Sequence, residues 1–247
     1  MTSTVNPSEH VPRSNRQELL TGARDTIPLI VGAIPFGIIF GTLAVTNGLS
    51  PWTAMAMSVF VFAGSSQFIA VGLVAMGSSP AIIVLTTFVV NLRHLLYAAS
   101  LVPYVSHLPQ RWRALLSFGL TDESYAVVAS RYLNEPPRGN NHWFFLGSTL
   151  AMWGNWQLCT LIGITLGTLI PDMSSWGLDF AMSVTFIGLV VPYVRNWPML
   201  AAVITAGTIA WGAQPLPHNL GLILAAICGV TAGVLCERLN KQPEVTQ

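Results

Sequence analysis

Deep inside an apolar stretch stand Asn91-Leu92-Arg93-His94-Leu95-Leu96-Tyr97, four polar side chains among three leucines. At 3.6 residues per helical turn, Asn91, Arg93, His94 and Tyr97 share an arc of roughly 160°, and the leucines take the other side. A charge at mid-bilayer costs at least about 2.5 to 3.5 kcal/mol, so Arg93 needs a partner. It either binds a ligand carboxylate or ties helices together through carbonyls or an acidic side chain, and the sequence leaves both roles open. The acidic candidates are Asp122 and Glu123 in the next apolar stretch. Neighbours on a helix point about 100° apart and cannot both face one point, so if one neutralises Arg93 the other needs a proton, a substrate ammonium or water. That outlines an exchange site; the bland alternative is a carboxylate pair near a helix end that reaches water. His94 fits a proton shuttle or a hydrogen-bonded interior histidine. Gln67 follows Phe62-Ala63-Gly64-Ser65-Ser66, a small and polar patch where backbone could approach a ligand. Asn155 and Gln157 offer uncharged donors and acceptors, which helix packing alone would also explain. Asp179 reads as a first-turn carboxylate favoured by the helix dipole.

These residues need elements that cross a membrane. Of 247 residues, 52% are hydrophobic and 9% charged, against about 25% charged in soluble domains. Apolar stretches lie at about 26–46, 52–76, 81–103, 114–132, 143–169, 177–194, 198–213 and 219–236, each close to the length that crosses a bilayer. The expected fold is an all-α polytopic membrane protein of about eight transmembrane helices. Seven is the alternative, because the fourth stretch carries Asp122 and Glu123 and the seventh is short. Residues 1–25 read as a cytoplasmic tail without a cleaved signal, 26–236 as the membrane domain, and 237–247 as a second cytoplasmic tail. Eight spans place Arg13, Arg16, Arg24, Arg131, Arg138, Arg195, Arg238 and Lys241 inside and only Arg111 and Arg113 outside, as the positive-inside bias favours. Trp52, Trp112, Trp143, Trp176 and Trp197 fall near span ends, where indole rings favour the headgroup region.

Gly37-Ile38-x-x-Gly41-Thr42-Leu43 recurs as Gly163-Ile164-x-x-Gly167-Thr168-Leu169, 126 positions later, and Ala56-Met57-Ser58-Val59 recurs as Ala181-Met182-Ser183-Val184. The pattern predicts two repeated halves, about 26–132 and 143–236. Four spans per half would make them parallel, and a non-crossing fourth segment would make them inverted. Gly37, Gly41, Gly163 and Gly167 form GxxxG pairs suited to close helix packing, as do Gly229 and Gly233. Pro28, Pro35 and Pro192 can kink or break their helices.

Several classes are excluded. A net charge of +1 without a basic cluster argues against nucleic acid. Cys159, Cys228 and Cys236 lack metal-ligand or redox spacing, so no metal or other cofactor is expected. Ser65 or Ser66 with His94 could in principle make a hydrolase dyad, but no GxSxG motif supports an enzyme. A channel for a small polar solute is the other rival.

Taken together, Pro35-Phe36-Gly37-x3-Gly41, Phe62-Ala63-Gly64-Ser65-Ser66-Gln67-Phe68, Asn91-x-Arg93-His94-x-x-Tyr97 and Asp122-Glu123 resemble the AzlC-type branched-chain amino-acid exporter family. The likeness spans about residues 20–132 and is weaker beyond. It implies a bacterial inner-membrane permease exporting valine, leucine, isoleucine and sometimes methionine. It also implies a small AzlD-type membrane partner, and it leaves room for a higher oligomer. No binding residues carry over from the family, so the site rests on the charges. In that reading Arg93 holds the substrate carboxylate and Asp122 or Glu123 the ammonium or an incoming proton. The aliphatic side chain lies against Phe and Met residues of the first two spans.

Overall fold

The computed structural model describes residues 14–134, 140–169, 187, 191, 194–214, 216 and 220–240. Most of the sixth expected span, with Trp176, Asp179, Pro192 and the second copy of the Ala-Met-Ser-Val repeat, lies outside the described residues, as do Arg13, Arg138 and Lys241. Among the described residues every regular element is a helix, and helices occupy the other seven expected spans. The chain is an all-α membrane protein, and two helical stretches, Asn15–Thr46 and Pro80–Val105, are long and apolar enough to cross a bilayer unaided.

Helix α1 (Asn15–Thr46) starts well before the apolar run, with Ser14 and Gln17 forming a reciprocal capping box. Hydropathy hides its first three turns because they carry Glu18, Arg24 and Asp25, so part of the expected tail is helix. Pro28 and Pro35 do not interrupt it. Both rings lie on exposed sides of the helix, where no packed neighbour resists the small relaxation a missing N–H demands.

The long helix α8 (Asn141–Leu169) lies along α1, and glycine makes this closeness possible. A Cβ on Gly41 would strike the Thr160 carbonyl oxygen, and one on Gly163 would strike that of Ile38. At Gly37 it would sit 2.6 Å from the Cys159 Cβ, and at Gly167 it would press on Val45. Thr42 donates to the Gly163 carbonyl oxygen at 2.9 Å and Thr26 to Ser148 Oγ at 2.7 Å, partners 121 and 122 positions apart. That separation nearly equals the motif offset, so the two copies face one another at one depth and run in one direction, the relation parallel halves produce. Phe40, Leu43, Phe68, Val71, Met152 and Trp156 fill the core beside this seam.

The second span is split. α2 (Pro51–Ala56) passes into a π-helical turn at Met57–Val61, the chain reverses its local hand at Phe62, and α3 (Gly64–Ala75) resumes. The third span, α4 (Pro80–Asn91) and α5 (Arg93–Val105), slackens only at Leu92. The fourth is α6 (Gln110–Phe118) and α7 (Asp122–Asn134), separated by Gly119-Leu120-Thr121. Helices α9 (Trp197–Gly212) and α10 (Leu220–Asn240) form an antiparallel hairpin, with Gly229 against Ala202 and Ala206 and Gly233 against Ala202. Exposed indoles begin α2 (Trp52, 86%) and α9 (Trp197, 72%), whereas Trp112 and Trp143 pack on one another at 5.1 Å.

Arg131 is no loop charge. It is buried on α7 and pairs at 3.2 Å with Glu18 of α1, which is wholly buried, while its guanidinium lies 4.8 Å from the Phe144 ring centroid of α8. Removing one member of such a pair strands the other charge, so Arg131→Ala is expected to lose about 3 to 5 kcal/mol of stability. The double change Glu18→Gln with Arg131→Met should recover most of it. Thermal unfolding in detergent checks both, and equal losses in single and double variants would show that the pair contributes nothing as a pair.

Candidate substrate-binding site

The helix breaks surround one cavity of about 660 Å³, lined from α1, the 62–68 segment, the start of α5, the start of α7, and Met152 and Trp156 of α8. Each break has a local cause. Phe62 is the one non-glycine residue with a positive φ among those described, at 43°, a conformation costing roughly 1 to 2 kcal/mol. Its buried ring faces Phe118 at 6.3 Å, across the site from which α6 ends. After it, α3 begins at Gly64 with no side-chain cap, leaving the positive end of a half-helix at the cavity wall.

At the second break, Gly119 sits so close to Thr149 that no Cβ would fit. Thr121 N–H donates to Ser124 Oγ at 2.8 Å and Ser124 N–H donates to Thr121 Oγ1 at 3.3 Å, a reciprocal capping arrangement. Asp122 and Glu123 therefore occupy the first two helical positions, where the dipole favours carboxylates. They do stand at a helix end, the one that the break at Gly119-Leu120-Thr121 creates in the middle of the fourth apolar stretch. Although adjacent on the chain, both line the cavity, because the first turn of α7 opens onto it end-on.

Arg93 Nη2 lies 3.0 Å from Asp122 Oδ2 and donates to Ser65 Oγ at 2.6 Å. Tyr97 Oη donates to the other Asp122 oxygen at 2.7 Å, and its ring stacks on Tyr125 at 4.3 Å. Leu92, Leu95 and Leu96 are 40%, 65% and 72% exposed, so the leucines take the outer face and the polar residues the inner one. The inner face divides further. Arg93 and His94 line the cavity, and Asn91 and Tyr97 do not; Asn91 Nδ2 donates to Ser66 Oγ at 3.3 Å. Gln67 is wholly buried behind the wall and touches Ser58 and Trp156 instead of the cavity. Asn155 and Gln157 are absent from the lining, and Gln157 donates to the Ser58 carbonyl oxygen at 3.0 Å. Ser65 is held by Arg93, and Ser66 donates to the Ala63 carbonyl oxygen at 2.9 Å, so the serine–histidine dyad is not formed.

The same cavity is also lined by Phe36, Phe62, Phe68, Met152, Trp156 and Met199. Phe36, Phe62 and Phe68 come from the first two spans, whereas both methionines come from α8 and α9. Arg195, counted in the sequence as a loop charge, also lines the cavity. A second pocket of about 380 Å³ shares Leu29 and Ala126 with the first and continues past Asp25, Ser130, Arg131 and Asn134, along facing stripes of α1 and α7. Trp156 and Met152 escaped the sequence analysis because an apolar residue in a span carries no mark of what it faces. The signal that could have found the α7 break was Thr121-x-x-Ser124 beside Gly119.

No solved structure matches the chain. The chain is similar to inner membrane protein YgaZ of Escherichia coli, 26% identical over 91% of this chain and 93% of that protein. An uncharacterized membrane protein of Archaeoglobus fulgidus is 33% identical over 83% of this chain and 89% of its own length. The branched-chain amino acid transport protein AzlC of Bacillus subtilis is 30% identical over 70% of this chain and 65% of its own. The family model described as AzlC protein matches residues 28–170, more than half of the chain, and takes in α1 from Pro28 onward, every helix break and all of α8, so the chain belongs to the AzlC family.

Proposed function

We propose that this membrane transporter exports amino acids with apolar side chains, such as valine, leucine, isoleucine and methionine. The observation that carries this reading is that one cavity is lined both by polar and charged groups, Ser65, Arg93, His94, Asp122 and Glu123, and by a set of aromatic and methionine side chains. A zwitterion with an aliphatic tail has that same division. Its carboxylate would take Arg93, Ser65 and the open N-terminus of α3, and its ammonium would take Glu123. Asp122 is already engaged on both oxygens. The tail would lie against Phe36, Phe68, Met152 and Trp156, where a methylene changes binding by only about 1 to 3 kcal/mol, so selectivity among aliphatics is broad. Alternation of access between the halves, with a proton entering on Glu123 as the ammonium leaves, would drive export.

The same reading places the chain in a bacterial plasma membrane with both termini cytoplasmic. Arg16, Arg24 and Arg238 favour that orientation, as does Arg131, which pairs with Glu18 near the start of α1, whereas Arg195 lines the cavity. The second pocket, running toward the N-terminal end of α1, would then be the cytoplasmic approach. A small AzlD-type subunit is the proposed partner.

The test is intracellular valine, measured by mass spectrometry in cells lacking their own exporters and fed a valine-containing dipeptide. Expression of the chain with a small AzlD-type partner should hold valine several-fold below the control, and omitting the partner shows whether it is required. Unchanged valine in both conditions, with the protein in the membrane, would overturn the substrate assignment. Saturable counterflow separates a carrier from the rival channel.

A further inference from the structure

Beneath the cavity floor, a buried polar chain ends on a single aromatic ring. Trp156 is 5% exposed, yet the edge of its indole lines the cavity. Its N–H donates to Gln67 Oε1 at 3.1 Å, Gln67 Nε2 donates to Ser58 Oγ at 3.2 Å, and Ser58 Oγ lies 2.7 Å from Thr160 Oγ1. Gln67, Ser58 and Thr160 are each fully buried, and unmaking any of these bonds inside an apolar core strands a polar group. The indole also stacks on Phe40 with ring centroids 6.3 Å apart. Gly64, the first residue of α3, faces its far edge; a Cβ there would lie 3.0 Å from Trp156 Cη2. The ring is thus gripped on the side away from the cavity and admitted on the other by a missing side chain.

We infer that Trp156 sets the size of side chain this transporter accepts, and that Gln67 is a positioning residue acting only through it. The inference rests on the amino-acid reading above and deepens it. Gln67 does not line the cavity; its Oε1 holds the indole N–H while its Nε2 is tied back to Ser58, so the anchored amide fixes the indole's rotamer. The size limit then comes from a rigid floor rather than from an adaptable one. Phe68 and Met152 share that floor, but neither carries a polar handle that the interior must satisfy.

The experiment measures efflux of valine, leucine and phenylalanine, supplied together as dipeptides, from exporter-deficient cells expressing the full chain. Trp156→Ala deepens the floor and should raise the phenylalanine-to-valine ratio about tenfold, within the roughly 10- to 200-fold that one or two methylenes command. Trp156→Leu, closer in volume, should move it the same way and serves if the alanine variant fails to reach the membrane. Gly64→Ala puts a methyl on the cavity wall against the ring edge, narrows the space there and should lower the ratio. Gln67→Leu should alter the ratio in the unaltered background but not when combined with Trp156→Phe, which has no N–H to hold. A general packing defect would not produce that dependence.

Unchanged ratios in both Trp156 variants, with valine efflux persisting, would overturn the inference while leaving the transporter reading intact. An equal effect of Gln67→Leu in the phenylalanine background would overturn the positioning role. Absence of efflux for all three amino acids from the unaltered chain would instead sink the amino-acid reading, and the inference with it.

Discussion

Arg93→Gln is expected to cut transport at least a hundredfold, and pairing it with Asp122→Asn should return the protein to the membrane in normal amount without returning flux. Arg93 has two possible tasks, and the geometry lets them be separated. As scaffold, it neutralises Asp122 at 3.0 Å and ties α5 to α7 and, through Ser65, to α3. As ligand, it lines the cavity with a side chain that is 28% exposed, so guanidinium N–H groups beyond those on Asp122 and Ser65 can meet a substrate carboxylate. The single variant fails both tasks, because it also leaves Asp122 without a counter-charge. The double variant removes both charges together, so the scaffold cost largely disappears while the carboxylate site stays lost. One charge-assisted contact to a desolvated carboxylate corresponds to about 3 kcal/mol, or about a hundredfold. Membrane abundance and efflux measured side by side decide the matter. Full flux in the double variant would make Arg93 a strut and would move the carboxylate site to Ser65 and the α3 terminus alone.

The helical architecture and the polar face of the third span were legible in the sequence because both follow from periodicity and from the cost of charge in lipid. Leu92, Leu95 and Leu96 face outward for the same reason that Arg93 faces in. The pairing of the two GxxxG copies was legible as a tendency to pack, but not as a pairing with each other, since small residues specify closeness and not a partner. What stayed hidden were the breaks. Hydropathy averages across Phe62-Ala63 and across Gly119-Leu120-Thr121, so both spans look continuous, although the breaks decide that Asp122 and Glu123 begin a helix and share one cavity. The prolines pointed elsewhere, to α1, which runs through them. Arg131 also has a structural role that its position hid: a positive residue at a span end reads as a topological signal, and its partner Glu18 lay in what looked like a tail.

Those breaks also leave the two neighbouring carboxylates with different work, from which the second large effect follows. Both oxygens of Asp122 are committed, one to Arg93 and one to Tyr97. Glu123 lines the same cavity and forms no ion pair among the described residues. A carboxylate in that position can be stabilised by a proton or by a substrate ammonium, but not by both at once, and that exclusion is what an antiporter requires. Glu123→Gln removes the titrating group while keeping a hydrogen-bond acceptor in its place. In proteoliposomes of the chain with the proposed small partner, the variant should lose nearly all valine movement driven by a pH gradient, a drop of about tenfold or more if the glutamate contributes even about 1.4 kcal/mol to coupling. Exchange of valine for valine, which needs no net proton transfer, should persist at a substantial fraction of the normal rate, since a neutral amide still accepts a hydrogen bond from the ammonium. Asp122→Asn should depress both activities, because it releases Arg93. Loss of exchange together with pH-driven flux in Glu123→Gln would assign the glutamate to ammonium binding alone, and pH-driven flux intact in both variants would remove the carboxylates from proton coupling altogether.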